Sequence, residues 1–206
     1  MKPFETGDGE DAEKLKAAAR DPRSLSLIRP HRLQLPAAPM VAAEAEGVSL
    51  GLEVVQAAFA TMADFDVALV EGAGGLLVPI NAHTSMATVA GALNLPLLIV
   101  ARPSLGTINH TLLTIEVARQ RGLVVAGVVF SHSLAGSGRE EARTPSLIGE
   151  LGKVKIWGSL RHLDAATTAD AASDLAHLVE ALFADAEPLK DRVEDLVVDG
   201  LSGDRS

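Results

Sequence analysis

The 206-residue sequence contains no cysteine. No disulfide framework, thiolate nucleophile or cysteine-ligated zinc is therefore available to it. Aromatic residues make up only 3%, too few for a base-stacking nucleic-acid platform. Cationic excess is missing as well: the formal net charge is −9, which argues against a DNA-coating surface. The longest apolar runs, such as residues 95–101, fall far short of the roughly 20 residues a membrane span needs. The first residues, Met1-Lys2-Pro3-Phe4-Glu5-Thr6-Gly7, have no apolar segment of the secretory type. The expectation is a soluble cytoplasmic protein without nucleic-acid or membrane partners. None of the six histidines (His31, His83, His110, His132, His162, His177) falls in an H-E-x-x-H pattern, so a catalytic zinc is not expected. Gly136-Ser137-Gly138 is too short for the G-x-S-x-G elbow of serine hydrolases.

What is present is a chain with 48% hydrophobic residues, enough for a sizeable core. Residues 2–8 read as a strand end running into a loop, and residues 10–20 have helical spacing. Residues 21–46 carry Pro22, Pro30, Pro36 and Pro39 and read as irregular with short helical pieces. Helical periodicity returns over residues 49–63. Residues 66–71 and 95–101 are near-continuous apolar runs, the pattern of strands buried on both faces of a parallel sheet. Helices are expected over 84–93, 107–121, 139–151 and 168–184, and strands over 123–130 and 154–157. Gly122 is placed to stop the 107–121 helix. Strand–helix alternation of this kind predicts an α/β fold with a mostly parallel sheet flanked by helices. One domain is expected over residues 1–185, with a polar tail over 186–206.

Three segments carry chemistry. Glu71 ends the first apolar run and is followed by Gly72-Ala73-Gly74-Gly75. A carboxylate beside a glycine turn suits Mg²⁺ and phosphate, and it equally suits a plain tight turn with a solvated glutamate. Both readings stay open on spacing alone. Residues 101–111, with Gly106, Thr107 and Asn109, lead into a helix whose first N–H groups suit an anion; simple capping by Thr107 is the expectation from the residues themselves. Lys2, with Thr6 and Asp11 nearby, could stabilise charge in phosphoryl chemistry, though a lysine there is ordinarily a solvated charge.

The segments KPFETG, GEDAEKL, RPHRLQLPAAPMVAA, VEGAGGLLVPI, RPSLGTINHTLLTIEVARQRGL and VAGVVFS follow one another in this order. In that order and spacing the chain resembles the dethiobiotin synthetases over residues 2–185. The resemblance implies a P-loop NTPase-like fold, a homodimer, and ATP- and Mg²⁺-dependent closure of the ureido ring of dethiobiotin from 7,8-diaminononanoate and carbon dioxide. It implies that Lys2 stabilises charge on the carbamate and the transferring phosphoryl group, and that Thr6 contacts the substrate. Asp11 and Glu71 would ligate Mg²⁺, and Gly72, Ala73 and Gly74 would lie near the ATP phosphates. Asn109 and the backbone around Gly106 and Thr107, on a helix contributed by the partner subunit, would receive the substrate carboxylate. Ser131 and His132 stand where the family contacts adenine with Asn, and Gly158-Ser159-Leu160-Arg161 stands where a G-x-(I/L)-P segment also touches the base.

The family opens with a strand, a Gly-rich phosphate loop and a helix. No G-x-x-x-x-G-K-[ST] occurs in these 206 residues; the one Gly-Lys pair, Gly152-Lys153, precedes Val154. The expectations that follow are an internal start at Met1 of a longer natural protein, an open sheet with an exposed apolar face, and weak MgATP binding by this polypeptide. A non-catalytic homologue that dimerises or binds is the alternative. A cobalamin-pathway amidoligase, whose family shares EGAGG-like strings, is a weaker one.

Overall fold

The computed structural model describes residues 1–132 and 143–160. They fall into two compact units, one comprising Met1–Leu93 and the other the described residues from Asn94 onward. The named strands pair in parallel in both units, as the strand–helix alternation predicts. The expected helix at 168–184, the start of the expected 139–151 helix, Arg161 and the 186–206 tail lie outside the described residues.

The first unit begins with strand β1 (Phe4–Thr6) and helix α1 (Asp11–Ala19), where the sequence predicts them. Helix α2 (Leu25–Ile28), strand β2 (His31–Leu33) and helix α3 (Pro39–Glu46) follow. Strand β2 corrects the reading of 21–46 as irregular apart from short helices. It pairs with β1, Phe4 opposite His31 and Thr6 opposite Leu33. Three residues between two prolines give no periodic signal; the ladder that β1 offers makes them a strand. Phe4 and Leu33 are buried there, and the Phe4 ring stacks on His31 with centroids 5.2 Å apart. Pro39 sits in the first turn of α3, where its missing N–H costs nothing. Helices α4 (Leu52–Ala60) and α5 (Met86–Ala92) complete the unit, and Ser85 closes the start of α5 with a capping box to Thr88.

The 66–71 run is the second correction. It is joined to the chain start by two backbone bonds, from the Met1 ammonium to the Leu69 carbonyl (2.8 Å) and from the Glu71 N–H to the Met1 carbonyl (2.9 Å). That is the bonding of a parallel ladder around Val70. The run is not buried on both faces, however: Val67 is 42% and Leu69 74% exposed. Continuous hydrophobicity signals what a segment can bury, and burial also needs a covering layer.

A clasp holds the loop between α1 and α2. Arg23 Nη2 donates to Asp21 Oδ2 (2.5 Å) and its Nη1 to Thr61 Oγ1 (3.0 Å), while its guanidinium lies 5.1 Å from the centre of the Phe65 ring. The Arg23 hydrogen bonds hold the Asp21 carboxyl at about 2, below its ordinary 3.8. A depressed folded-state pKa gives stability that is present above the ordinary value and lost as pH falls through the lowered one. The urea midpoint is therefore expected to drop between about pH 4 and pH 2, and Asp21→Asn should flatten part of that drop. An unchanged acid limb in that variant would assign the drop to other carboxylates.

The second unit runs β3 (Leu97–Ala101), α6 (Thr107–Gln120), β4 (Val125–Ser131), α7 (Thr144–Gly152) and β5 (Ile156–Leu160), with sheet order β3-β4-β5. Ala101, Ile115, Val128, Phe130 and Ile148 form its core, with Ile99, Leu112 and Ile156 against them. Helix α6 ends as expected at Gly122, whose φ is +71°. The Leu123 N–H returns to the Ala118 carbonyl and the Gly122 N–H to that of Arg119, each at 2.9 Å, which is a Schellman ending. Strand β3, also expected to be buried on both faces, alternates instead: Leu98 is 38% and Val100 66% exposed. Large apolar side chains are thus exposed on β3 of this unit, as they are at Val67 and Leu69 in the first. No helix among the described residues is long and apolar enough to cross a membrane.

Candidate functional site

The chemistry in the first unit gathers on Lys2. Its backbone N–H is fixed by the Ile28 carbonyl at 2.8 Å, and its side chain is only 9% exposed. The ammonium meets Glu71 Oε1 at 2.6 Å and Asp11 Oδ2 at 3.0 Å. Lys2 and Asp11 thus meet Glu71, 60 or more positions away in sequence, at one nitrogen. Burial pulls the Lys2 pKa down, but the hydrogen bonds and charges of Glu71 and Asp11 outweigh it and hold the amine above its ordinary value. Lys2 is an ammonium throughout the neutral range, suited to stabilising anionic charge and unsuited to taking a proton.

The two carboxylates are half-exposed, 46% for Asp11 and 51% for Glu71. Among the described residues no three His, Asp or Glu side chains converge as a metal cage. Two accessible carboxylates fit Mg²⁺, which keeps several waters and takes one or two protein oxygens together with phosphates. The glycine turn follows directly. Gly74 has φ +71°, and a Cβ there would lie 2.8 Å from Val78 Cγ2, so both backbone and space require glycine at that point. Gly72 and Gly74 are exposed and Ala73 is half-buried.

Sequence reasoning missed the residues that support this cluster. Glu5, 2% exposed, accepts from the N–H groups of Asp11 (2.6 Å) and Ala12 (3.4 Å) and from Arg29 Nη1 (2.5 Å). Arg29 Nη1 also reaches Glu13 Oε2 at 2.9 Å. Burial would raise the Glu5 pKa, but the Arg29 and backbone hydrogen bonds prevail and lower it. Arg32 donates to the Gly7 carbonyl and shapes the loop after β1. The available signal was a glutamate in the middle of a three-residue strand. Thr6, half-buried, ends β1 beside this loop.

The remaining candidates belong to the second unit. Gly106, with φ +92°, stands at the N-cap of α6, and no side chain caps the helix. The expected capping by Thr107 is thereby corrected. Thr107 is the first helical residue, it is buried, and its Oγ1 lies 3.4 Å from Thr111 Oγ1. Its N–H donates to the Ser104 carbonyl at 3.0 Å. Asn109 is exposed on the first turn. Ser131 and His132 lie at the C-terminal end of β4, the end at which open α/β sheets receive ligands. Ser131 is in register with Leu160, and the His132 N–H donates to the Leu160 carbonyl at 3.0 Å. The two segments in which the resemblance implies adenine contacts therefore run side by side.

A family model described as an AAA domain matches residues 1–170. An ATP-dependent dethiobiotin synthetase of Novosphingobium aromaticivorans is 39% identical over 161 residues, which is 77% of this chain and 76% of that protein. The chain belongs to the dethiobiotin synthetase family. A Bacillus velezensis protein of the same name is 34% identical over 186 residues, 87% of this chain and 78% of its own length. One from Anaeromyxobacter dehalogenans is 46% identical over 138 residues, 65% of this chain. The chain spans 62% of that last relative's length.

Proposed function

We propose that this chain carries out the ATP- and Mg²⁺-dependent ring-closing carboxylation of 7,8-diaminononanoate to dethiobiotin in the cytoplasm, as a homodimer acting on small molecules without nucleic-acid or membrane partners. The observation that carries the reading is the Lys2 ammonium held between Asp11 and Glu71. In this reaction carbon dioxide adds to one amine to give a carbamate. A carbamate oxygen attacks the γ-phosphorus, ADP leaves, and the second amine displaces phosphate from the mixed anhydride as the ring closes. Every stage is anionic, and phosphoryl transfer needs positioning and cations more than a strong base. Lys2 supplies a fixed cation that does not deprotonate near neutrality. Asp11 and Glu71 would hold Mg²⁺, which neutralises charge on the phosphates when bound. The glycine turn after Glu71 lets backbone come close to phosphate oxygens. The start of α6, uncapped by any side chain, suits the carboxylate tail of the substrate, with Asn109 beside it. Ser131 and His132 would face the base.

Incubation of the chain with diaminononanoate, bicarbonate, ATP and MgCl₂, followed by mass spectrometry, tests the reading. The expected result is one ADP per dethiobiotin, saturating only at high ATP because these 206 residues carry no G-x-x-x-x-G-K-[ST] segment, and no product when EDTA is added. ATP binding measured by calorimetry without any dethiobiotin would overturn it.

A further inference from the structure

Asp11 is gripped twice by one short stretch of chain. Lys2 Nζ takes its carboxylate at 3.0 Å, and Glu5 Oε1 takes its backbone N–H at 2.6 Å. Helix α1 has no cap of its own, since Glu10 at the N-cap position makes no side-chain hydrogen bond. The buried strand carboxylate replaces that cap from outside the helix. Gly9 leaves room for it: a Cβ there would lie 3.3 Å from Glu5 Oε1. Arg29 then locks the arrangement, with Nη1 on Glu5 Oε2 and on Glu13, two residues beyond Asp11. A full negative charge in a short buried strand is costly unless it is paired and hydrogen-bonded. Neither β1 nor its ladder with β2 needs a carboxylate at position 5.

We propose that Glu5, held by Arg29, is a positioning residue that fixes the Asp11 carboxylate against Lys2 and Glu71 and so sets the Mg²⁺ requirement of the reaction. The Mg²⁺ part rests on the ligase reading above; the geometric part does not. Glu5 reaches no reacting atom and acts only through the start of α1. Supporting groups of this kind typically alter metal affinity by about 10–100-fold when removed.

Glu5→Gln keeps the shape and loses the charge, and Arg29→Met removes the lock. Thermal melts establish that each variant is folded; if Arg29→Met is not, Glu5→Gln alone decides. The first readout needs no ligand: competitive acetylation of Lys2 in the free protein should run several-fold faster in Glu5→Gln, because the ammonium loses a fixed partner. The second is the MgCl₂ concentration giving half-maximal dethiobiotin formation, expected to rise about tenfold with the KM for diaminononanoate unchanged. In an Asp11→Asn background Glu5→Gln should add no further rise. A folded Glu5→Gln protein with wild-type Lys2 acetylation and Mg²⁺ requirement would overturn the proposal. So would a Glu5→Gln effect that persists in full beside Asp11→Asn. If the unsubstituted chain makes no dethiobiotin, the ligase reading fails, and Lys2 acetylation alone decides whether Glu5 positions Asp11.

Discussion

Lys2→Met is expected to lower kcat for dethiobiotin formation by about 10²–10³-fold, the loss typical when one preorganised charge-stabilising donor is removed. The reason lies in where the ammonium sits. It is nearly buried and held by two carboxylates, so the cation is fixed in one place before the reaction begins. The fold should survive the change. Asp11 and Glu71 are each about half exposed, and solvent can screen two surface carboxylates left facing each other. Lys2→Arg keeps the charge but replaces a point cation with a planar fork on a different stem; it should restore only part of the rate. Because the Lys2 pKa is raised, the pH profile of the unsubstituted chain should show no loss of this cation between pH 7 and pH 9. Steady-state kinetics on the three proteins, with melting curves as the folding control, check the expectation. A Lys2→Met rate within a few-fold of the original would remove Lys2 from the chemistry.

The part of this site that was legible in the sequence is the part encoded by residue identity within short strings. Lys2, Asp11 and Glu71 stand in three separate segments, each with its own recognisable order of residues. The resemblance implied all three for one reaction, and the structure adds that they meet at one nitrogen. The support was not legible, because it depends on pairs that no local pattern records. Glu5 meets Arg29 across 24 positions, and the short strand carrying Glu5 shows no periodicity. Strand β2 was hidden for the same reason: between two prolines it has a single large aliphatic side chain, and only a ladder formed at a distance makes it a strand. The runs at 66–71 and 95–101 were read as buried on both faces. Hydrophobicity reports the capacity for burial, whereas exposure at Leu69 and Val100 depends on which layers cover them. At the start of α6, propensity favoured Thr107 as the cap. The chain turns through Gly106 with a positive φ instead, which makes Thr107 the first helical residue and turns its hydroxyl inward.

Gly127→Ala should destabilise the second unit by about 3–5 kcal/mol, from overpacking together with the loss of a buried hydrogen bond. Two irregularities in the sheet explain the size. Leu97 pairs with Val125 and Leu98 with Gly127, so Ala126 is an extra residue on β4. Val128 pairs with Ile156 and Val129 with Gly158, so Trp157 is an extra residue on β5. The two bulges are tied together: Trp157 Nε1 donates to the Ala126 carbonyl at 3.1 Å, a bond between the two extra residues. The indole reaches it by lying across Gly127, where a Cβ would come within 2.1 Å of Nε1 and 2.8 Å of the Lys155 carbonyl. Neither can be relieved by a small rotation. The ring must leave its largely buried place, or β5 must separate from β4. Trp157 is the single tryptophan of the chain, so its fluorescence reports the displacement directly, and urea unfolding gives the energy. In a Trp157→Ala background the alanine at 127 should cost less, because the clash with the indole and its bond are gone, while the Lys155 carbonyl and the φ of +156° at position 127 still oppose it. Additive losses would place the strain in the backbone rather than under the indole. The consequence for function follows along the same strands. The bulge at Trp157 sets Ser131 opposite Leu160, and slipping that register by one residue would turn the side chains at the end of β5, beside Ser131 and His132, to the other face. Gly127→Ala should therefore weaken ATP binding more than diaminononanoate binding if Ser131 and His132 face the base.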